Sequence, residues 1–299
     1  MAPASPFTDL HSHLVPAVDD GSGSAEESRN SLARLRREGV GTVVTTPHLL
    51  LPHLTSDAAL DRQLEQHRVA FDRLLGDLEG TADLPAVGLG QEIWAPDAAL
   101  LRRVASRPDV GLAGSRWLLV EFGFDLQGTH EGVVREAISS GRGIVIAHPE
   151  RYRYLPGVDP VMQMRRWREL GAVLQVNAGS FTGHYRVSSP DSERLSWAMV
   201  QEGLVDLVAT DHHGERRAGV SPREAFEALA ARGERELAER ALARTPERLI
   251  RGGAGRRPAA AGQSSRGSCV EPIAWSRCAI GVPGSAPPAL RVCSSRLVR

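Results

Sequence analysis

The 299-residue chain contains no lysine, so all 36 of its basic residues are arginines, and 36 acidic residues balance them. A formal net charge of zero gives the chain no overall field that would attract nucleic acid or an anionic membrane. We therefore expect neither as a partner. Any anion that the protein binds must be held by individual arginine side chains.

Cysteine is also scarce, and Cys269, Cys278 and Cys293 all lie close to the C-terminus. This distribution argues against a disulfide framework and against a thiolate metal site. The sequence has no apolar run of about 18 residues, and its first residues lack the basic and apolar regions of a secretion signal. These absences predict a cytoplasmic protein without membrane insertion.

Short apolar segments alternate with helix-compatible segments along most of the chain. Strands are predicted at residues 7–11, 42–46, 86–89, 117–121, 143–147, 172–177 and 205–210. Helices are predicted at residues 26–38, 58–78, 97–105, 131–140, 160–170, 191–201 and 222–231. Seven such βα repeats indicate an α/β protein with a parallel sheet or, more specifically, a barrel.

The composition changes near residue 252. Residues 1–252 are predicted to form one domain, which the length and apolar content allow. Residues 253–299 are rich in Gly, Pro, Ser, Ala and Arg without sustained periodicity, and they are predicted to be a low-complexity, disordered tail. A frameshifted terminus is a second hypothesis for this tail, which resequencing of the coding region would test.

Carboxylate and imidazole side chains recur where the apolar segments end. They are His11, His13, Asp19, Asp20, His48, Glu92, Glu121, His148, Asp211, His212 and His213. In a parallel barrel the loops after the strands converge at one mouth, so these distant residues are expected to meet. Oxygen and imidazole ligands without cysteine suit Mn, Fe or Zn. The pattern predicts a multinuclear metallohydrolase.

Seven segments carry a resemblance to a known family: residues 9–21 (DLHSHLVPAVDDG), 26–28 (EES), 90–93 (GQEI), 119–122 (LVEF), 148–152 (HPERY), 174–180 (LQVNAGS) and 211–213 (DHH). From Asp9 to about Gly252 the chain resembles the PHP (polymerase and histidinol phosphatase) superfamily. Within it, the chain is most similar to the manganese-dependent protein-tyrosine phosphatases of capsule and exopolysaccharide synthesis, the CpsB/CapC type. The resemblance implies a distorted (βα)7 TIM-like barrel that holds up to three divalent ions, Mn2+ foremost, with Fe, Co or Zn as alternatives.

The same resemblance implies a ligand set for each ion. The first ion would be held by His11, His13, Glu92 and Asp211. Glu92 would bridge to a second ion, which is also held by Glu121 and His148. The third ion would be held by Asp20, His48 and His213. Asp19 stays open as an alternative to Asp20, because spacing alone does not decide which of two adjacent carboxylates turns inward.

Two arginines are candidates for phosphate binding. Arg151 follows His148 by three residues, and its planar guanidinium could bind a phosphate bidentately, with a structural ion pair as the alternative. The resemblance implies a second arginine near the last ligands. Arg217 is the candidate and Arg216 the alternative, in a segment that departs from the asparagine-led loop of the family.

The sequence also allows predictions for the other histidines and for two polar residues near the candidate site. His212 is expected to point away from the metals, because alternate side chains of an extended chain face opposite ways. Exposed or capping positions are predicted for His53, His67, His130 and His184. Two alternatives stay open for Asn177 and Ser180: they lend backbone amides to the mouth of the site, or they only close a turn.

The predicted function is hydrolysis of phosphotyrosine in proteins by metal-activated water. The resemblance implies a role in capsular or exopolysaccharide synthesis, with a bacterial tyrosine autokinase as the substrate. One alternative is a small phosphoester such as histidinol phosphate. Another is a non-catalytic scaffold, which the complete set of ligands disfavours because a site without function should have lost a costly buried charge.

Overall fold

The computed structural model describes residues 5–217 and 219–251, and of residues 216 and 217 it describes the backbone alone. The predicted tail at residues 253–299, with its three cysteines, lies outside the described residues. Within the described part, no helix is both long enough and apolar enough to cross a lipid bilayer.

The described residues form an α/β structure in which strands and helices alternate. The strands are β1 (Phe7–Asp9), β2 (Val40–Thr45), β3 (His48–Leu50), β4 (Ala86–Leu89), β5 (Glu92–Trp94), β6 (Trp117–Glu121), β7 (Gly143–Ile146), β8 (Val173–Asn177) and β9 (Leu207–Ala209). The helices are α1 (Ala25–Arg37), α2 (Asp57–Leu78), α3 (Ala98–Ala105), α4 (Glu131–Ser139), α5 (Pro160–Glu169), α6 (Ser192–Gln201), α7 (Pro222–Ala231), α8 (Arg235–Glu239) and α9 (Thr245–Ile250).

Each predicted strand and helix has a counterpart at the expected place. The short strands β3 and β5 were not predicted as separate elements. They follow β2 and β4 after gaps of two residues, Thr46-Pro47 and Gly90-Gln91. Pro47 has no N–H for a ladder hydrogen bond, which accounts for the first interruption. β2/β3 and β4/β5 are therefore each one interrupted strand.

All strand pairs are parallel. One sheet has the order β1-β2-β4 and the other has the order β3-β5-β6-β7-β8-β9. The first and last strands also meet beyond their ends, where Ser12 and His212 form a parallel bridge. The backbone N–H of His13 donates to the carbonyl of His212 at 2.7 Å, and the N–H of Asp211 donates to the carbonyl of His11 at 2.8 Å.

The strands are buried on both faces, because alternate side chains enter two separate apolar clusters. Along β7, Ile144 and Ile146 join the large cluster beneath the helices, whereas Val145 joins a smaller cluster. The smaller cluster is made of Leu10, Val44, Leu112, Ala113, Leu119, Val145, Ala147, Leu207, Ala209, Leu249 and Ile250. Its last two members come from α9, a helix that the sequence analysis did not predict.

Candidate metal centre

The predicted carboxylates and imidazoles meet at the C-terminal ends of the strands. Their donor atoms form four overlapping groups, each within 4.8 Å: His13 with Asp20, His48 and His213; His11 with His148 and Asp211; His11 with His13 and Glu92; and His48 with Glu92 and Glu121. All nine predicted ligands occur in these groups. Their role as ligands stays a prediction.

Glu92 is the hub of the cluster. Its Oε1 atom lies 3.3 Å from His11 Nε2 and 3.1 Å from His148 Nε2. Its Oε2 atom lies 2.8 Å from His48 Nδ1 and 3.3 Å from His13 Nε2. Burial raises the pKa of Glu92, but the surrounding imidazoles outweigh burial and hold that pKa well below its usual range. One carboxylate thus faces four imidazole nitrogens.

Asp211 closes the other side of the cluster. Its Oδ1 atom lies 3.4 Å from His11 Nε2 and 3.5 Å from His13 Nε2. Its Oδ2 atom accepts hydrogen bonds from Arg151 Nη1 at 2.7 Å and from Asn177 Nδ2 at 2.9 Å. Asp211 has a φ of 50°, so its backbone is left-handed, an uncommon conformation that clusters at functional sites.

Asp20, rather than Asp19, faces the cluster. Asp20 Oδ1 lies 3.2 Å from His48 Nε2 and 3.3 Å from His213 Nε2. Asp19 Oδ2 instead lies 2.7 Å from Nδ1 of His13, on the side of that ring opposite to Glu92. It also accepts a hydrogen bond from the backbone N–H of His48 at 3.1 Å. Asp19 therefore orients His13, as outer carboxylates do for metal-binding imidazoles.

The donor atoms of the cluster are poorly paired by hydrogen bonds to one another and would be better satisfied by divalent cations. His48 Nδ1 and Glu92 Oε2 are buried and only 2.8 Å apart, yet neither has a well-oriented hydrogen-bond partner in the described part of the chain. His11 Nε2 and His13 Nε2 also face each other at 3.2 Å. Burying such atoms without a partner is costly, and a bound cation would remove that cost.

Two further pKa values support the same chemistry. Burial and the nearby charge of Glu92 raise the pKa of Glu121 to about 8. A bound cation would reverse this effect by favouring the carboxylate. Burial lowers the pKa of His148 to about 4, so its imidazole is neutral near pH 7 and can act as a ligand.

Arg151 lies beside the cluster in an aromatic sandwich. Its guanidinium carbon is 4.1 Å from the ring centroid of Tyr185 and 4.9 Å from that of Phe124, and the side chain is buried. Phe124 also stacks on His148, with centroids 5.6 Å apart. The ion pair with Asp211, the structural alternative, is present, and phosphate binding by Arg151 stays a prediction.

The second predicted arginine, Arg217 or its alternative Arg216, lies in the turn that follows His213. The backbone of residues Gly214–Arg217 forms a short helical turn directly after His213. The side chains of Arg216 and Arg217 lie outside the description. Glu27 anchors this turn, because its Oε1 atom accepts a hydrogen bond from the backbone N–H of Glu215 at 2.6 Å.

The predictions for the remaining histidines had mixed outcomes. His53 and His184 are exposed, as predicted. The prediction for His67 is wrong: it is fully buried, with Nδ1 2.7 Å from Gln91 Oε1. His130 occupies the N-cap position of α4, as predicted, but its half-buried side chain makes no capping hydrogen bond and stacks on a phenylalanine ring. His212 is buried and belongs to none of the four donor groups found in the described residues.

Asn177 and Ser180 close a turn, the second alternative: Asn177 is the N-cap of the short 3-10 helix Ala178–Thr182, and the carbonyl of Ser180 accepts from the backbone N–H of Gly183. The backbone N–H of Asn177 and the hydroxyl of Ser180 both donate to Oε1 of the buried Glu150, at 2.9 and 2.7 Å. Asn177 also reaches the cluster through its side chain. Gln175, whose side chain contacts His11, was missed by the sequence reasoning, and Asn177 was considered only for its backbone amide, although both lie in the 174–180 segment that carried the resemblance.

The chain is similar to known proteins over most of its length. The family model described as "Capsular polysaccharide synthesis, CpsB/CapC" matches residues 7–251. Tyrosine-protein phosphatase YwqE of Bacillus subtilis is 28% identical over 74% of this chain and 83% of its own length. Tyrosine-protein phosphatase CpsB of Streptococcus pneumoniae is 27% identical over 81% of this chain and 97% of its own length.

A solved structure extends the likeness to three dimensions. It comes from a study of YwqE from Bacillus subtilis and CpsB from Streptococcus pneumoniae, described there as unique metal-dependent tyrosine phosphatases. Its chain matches with a TM-score of 0.64 and 26% identity, and the match covers 86% of this chain and all of the other.

Proposed function

Because the chain belongs to the CpsB/CapC family of capsular polysaccharide synthesis, we propose that it is a metal-dependent protein-tyrosine phosphatase. The relatives above are named tyrosine-protein phosphatases, and the solved relatives are described as metal-dependent. The observation that carries the proposal is the convergence of four imidazoles on Glu92 beside a buried arginine. Clustered divalent ions that hydrolyse phosphoesters need such donors, and a nearby arginine would bind the phosphoryl oxygens.

We propose that the two sheets form one distorted (βα)7 barrel, and that residues 1–252 are one domain. Support comes from the two interrupted strands, which reduce nine strand segments to seven, and from the meeting of the first and last strands at Ser12 and His212. The smaller apolar cluster would fill the interior, with α9 at one end. The metal-binding residues lie at the other end, where active sites of such barrels occur.

The proposed metal ligands are His11, His13, Asp20, His48, Glu92, Glu121, His148, Asp211 and His213. Manganese is the proposed ion, with Fe, Co or Zn as alternatives, because this donor set accepts all four. Bound divalent ions would lower the pKa of a water molecule and neutralise charge on the phosphoryl group.

The chain itself would supply orientation and positive charge. Arg151 would bind the phosphoryl oxygens, and its two aromatic neighbours would restrict the guanidinium to one plane. Arg217, or its neighbour Arg216, would act from the loop after His213. The described residues contain no candidate cysteine nucleophile, since the three cysteines lie beyond them, and the proposed route needs none.

The proposed substrate is a phosphotyrosine protein, and more specifically a bacterial tyrosine autokinase of polysaccharide export. The proposed location is therefore the cytoplasm, and the proposed role is control of capsular or exopolysaccharide synthesis. A small phosphoester such as histidinol phosphate is the competing substrate class, because specificity depends on loops around the mouth rather than on the fold.

The test begins with protein stripped by a chelator and titrated with Mn2+. We expect the metal to restore hydrolysis of a phosphotyrosyl peptide but not of histidinol phosphate. His148→Ala should abolish the restored activity, whereas His53→Ala, at an exposed histidine outside the donor groups, should retain it. Turnover of histidinol phosphate alone would move the function to the small-molecule class, and metal binding without turnover of either substrate would support the scaffold.

A further inference from the structure

Two buried amide side chains on β8 connect opposite sides of the metal-binding cluster. Gln175 Oε1 lies 3.0 Å from His11 Nδ1, and it accepts a hydrogen bond from the backbone N–H of His148 at 3.3 Å. Gln175 Nε2 donates to Asn177 Oδ1 at 2.7 Å, and Asn177 Nδ2 donates to Asp211 Oδ2 at 2.9 Å. Both amides are fully buried.

The direction of this chain of hydrogen bonds is dictated from both ends. Oδ2 of Asp211 accepts from Arg151, whose guanidinium can only donate. The NH2 group of Asn177 therefore faces that oxygen, and its own oxygen faces Gln175. At the other end the backbone N–H of His148 can only donate, so the oxygen of Gln175 must face it. The two ends require the same orientation of both amides, which removes the usual ambiguity between amide oxygen and nitrogen.

This polarity determines the proton position on His11. Because Gln175 presents its oxygen to Nδ1 of His11, that nitrogen must carry the hydrogen. In the neutral ring Nε2 then keeps its lone pair. Nε2 is the atom that lies 3.3 Å from Glu92 and 3.4 Å from Asp211. The amide pair thus directs the lone pair of His11 into the cluster.

We propose that Gln175 and Asn177 are positioning residues that select the Nδ1–H tautomer of His11 and restrain Asp211 for metal binding. The inference rests on the metal site of the proposed function. Gln175 contacts His11 and the backbone of His148, and Asn177 contacts Asp211. They act through the ligands, and outer partners of this kind typically change metal affinity by about 10- to 100-fold.

The test measures metal binding and tautomer state, both independent of turnover. Gln175→Leu removes the acceptor for His11 and the donor for Asn177, and Asn177→Leu removes the donor for Asp211. We expect each variant to weaken Mn2+ binding to the full-length protein, measured by calorimetry, by about 10- to 100-fold. The double variant should lose less than the product of the two single losses, because both residues belong to one hydrogen-bond chain.

A matched control and a conservative variant separate positioning from general damage to the fold. Gln163 is another buried glutamine, bonded to the carbonyl of Thr129 outside the cluster, so Gln163→Leu should bind Mn2+ normally. Gln175→Glu keeps an acceptor for His11. Nitrogen NMR of the metal-free protein, at a pH where His11 is neutral, should therefore show a protonated Nδ1 in the wild type and in Gln175→Glu but not in Gln175→Leu.

Either of two results would overturn the proposal: Mn2+ binding by Gln175→Leu equal to that of the wild type, or a neutral wild-type His11 with its proton on Nε2. Failure of the proposed function looks different. If the wild type binds Mn2+ and shows the expected tautomer but does not hydrolyse a phosphotyrosyl peptide, the phosphatase proposal fails while the positioning role stands.

Discussion

Replacing Arg151 with methionine distinguishes a phosphate-binding role from a purely structural ion pair. The guanidinium is buried, and it donates to Asp211 Oδ2 at 2.7 Å. Methionine keeps most of the apolar bulk between Phe124 and Tyr185 but removes the charge and the donors. This one variant should therefore lose both the ion pair with Asp211 and the phosphate-binding group. The first loss is measured by stability and the second by activity.

The stability effect should depend on metal. Without metal, Arg151→Met removes the arginine partner of the buried carboxylate of Asp211. Breaking a buried ion pair in this way typically costs about 3–5 kcal/mol of unfolding free energy. A bound divalent ion would replace the missing positive charge. With saturating Mn2+ the loss should fall to about 1 kcal/mol, the typical net value of one hydrogen bond.

The activity effect should persist in the presence of metal. A hydrogen bond from a charged group contributes about 1.5–3 kcal/mol, so kcat/KM for a phosphotyrosyl peptide should fall by about 10- to 100-fold. Arg151→Lys keeps the charge but loses the planar fork, and we expect an intermediate loss.

The assays are urea unfolding with and without Mn2+, and steady-state kinetics with the metal saturating. Wild-type kcat/KM in Arg151→Met would refute phosphate binding by Arg151 and leave the ion pair as its only role. An equal stability loss with and without Mn2+ would refute the claim that a cation at this site compensates Asp211.

Two other predictions follow from the surroundings of the site. A Cβ atom at Gly21 would lie 2.1 Å from the carbonyl oxygen of His13, so Gly21→Ala should weaken Mn2+ binding and lower the melting temperature. The control is Gly23→Ala, which should change neither, because its Cβ would make only an ordinary contact at 3.5 Å. Burial raises the pKa of Glu150 from 4.5 to about 7. As the pH rises, the unfolded chain therefore loses this proton before the folded protein does. Between about pH 4.5 and 7, the free energy of unfolding of the wild type should fall by about 3 kcal/mol relative to that of Glu150→Gln. Parallel pH profiles of unfolding for the two proteins would contradict this assignment.

The sequence was sufficient to predict the positions of most elements, because their signals are local. The first helix shows this: Ser24 caps it by accepting from the backbone N–H of Glu27, and the predicted range 26–38 differs from Ala25–Arg37 by one residue at each end. The last helices, α8 and α9, were missed because an alanine- and arginine-rich segment shows no clear apolar spacing. Leu249 and Ile250 are buried through contacts with residues far away in sequence.

The same distinction between local and distant information applies to the site. The ligand candidates were predictable because carboxylates and imidazoles recur at or after the ends of apolar segments. The roles of Asp19 and Asp20 were not predictable, since both carboxylates are adjacent and only their distances to His13 and His48 separate them. Gln175 was missed because a glutamine in a strand carries no metal signal of its own.

The interrupted strands explain why two of the proposed ligands meet. β3 begins at His48 and β5 begins at Glu92, and these two residues are direct partners in the parallel ladder. Both strands resume after a gap of two residues, so the ladder restarts at the two proposed ligands. The interruptions that kept β3 and β5 from being predicted as strands are thus part of the site. They allow Glu92 to turn toward the imidazoles while its backbone remains paired with both neighbouring strands, and a ligand held in this way needs little reorganisation to bind a cation.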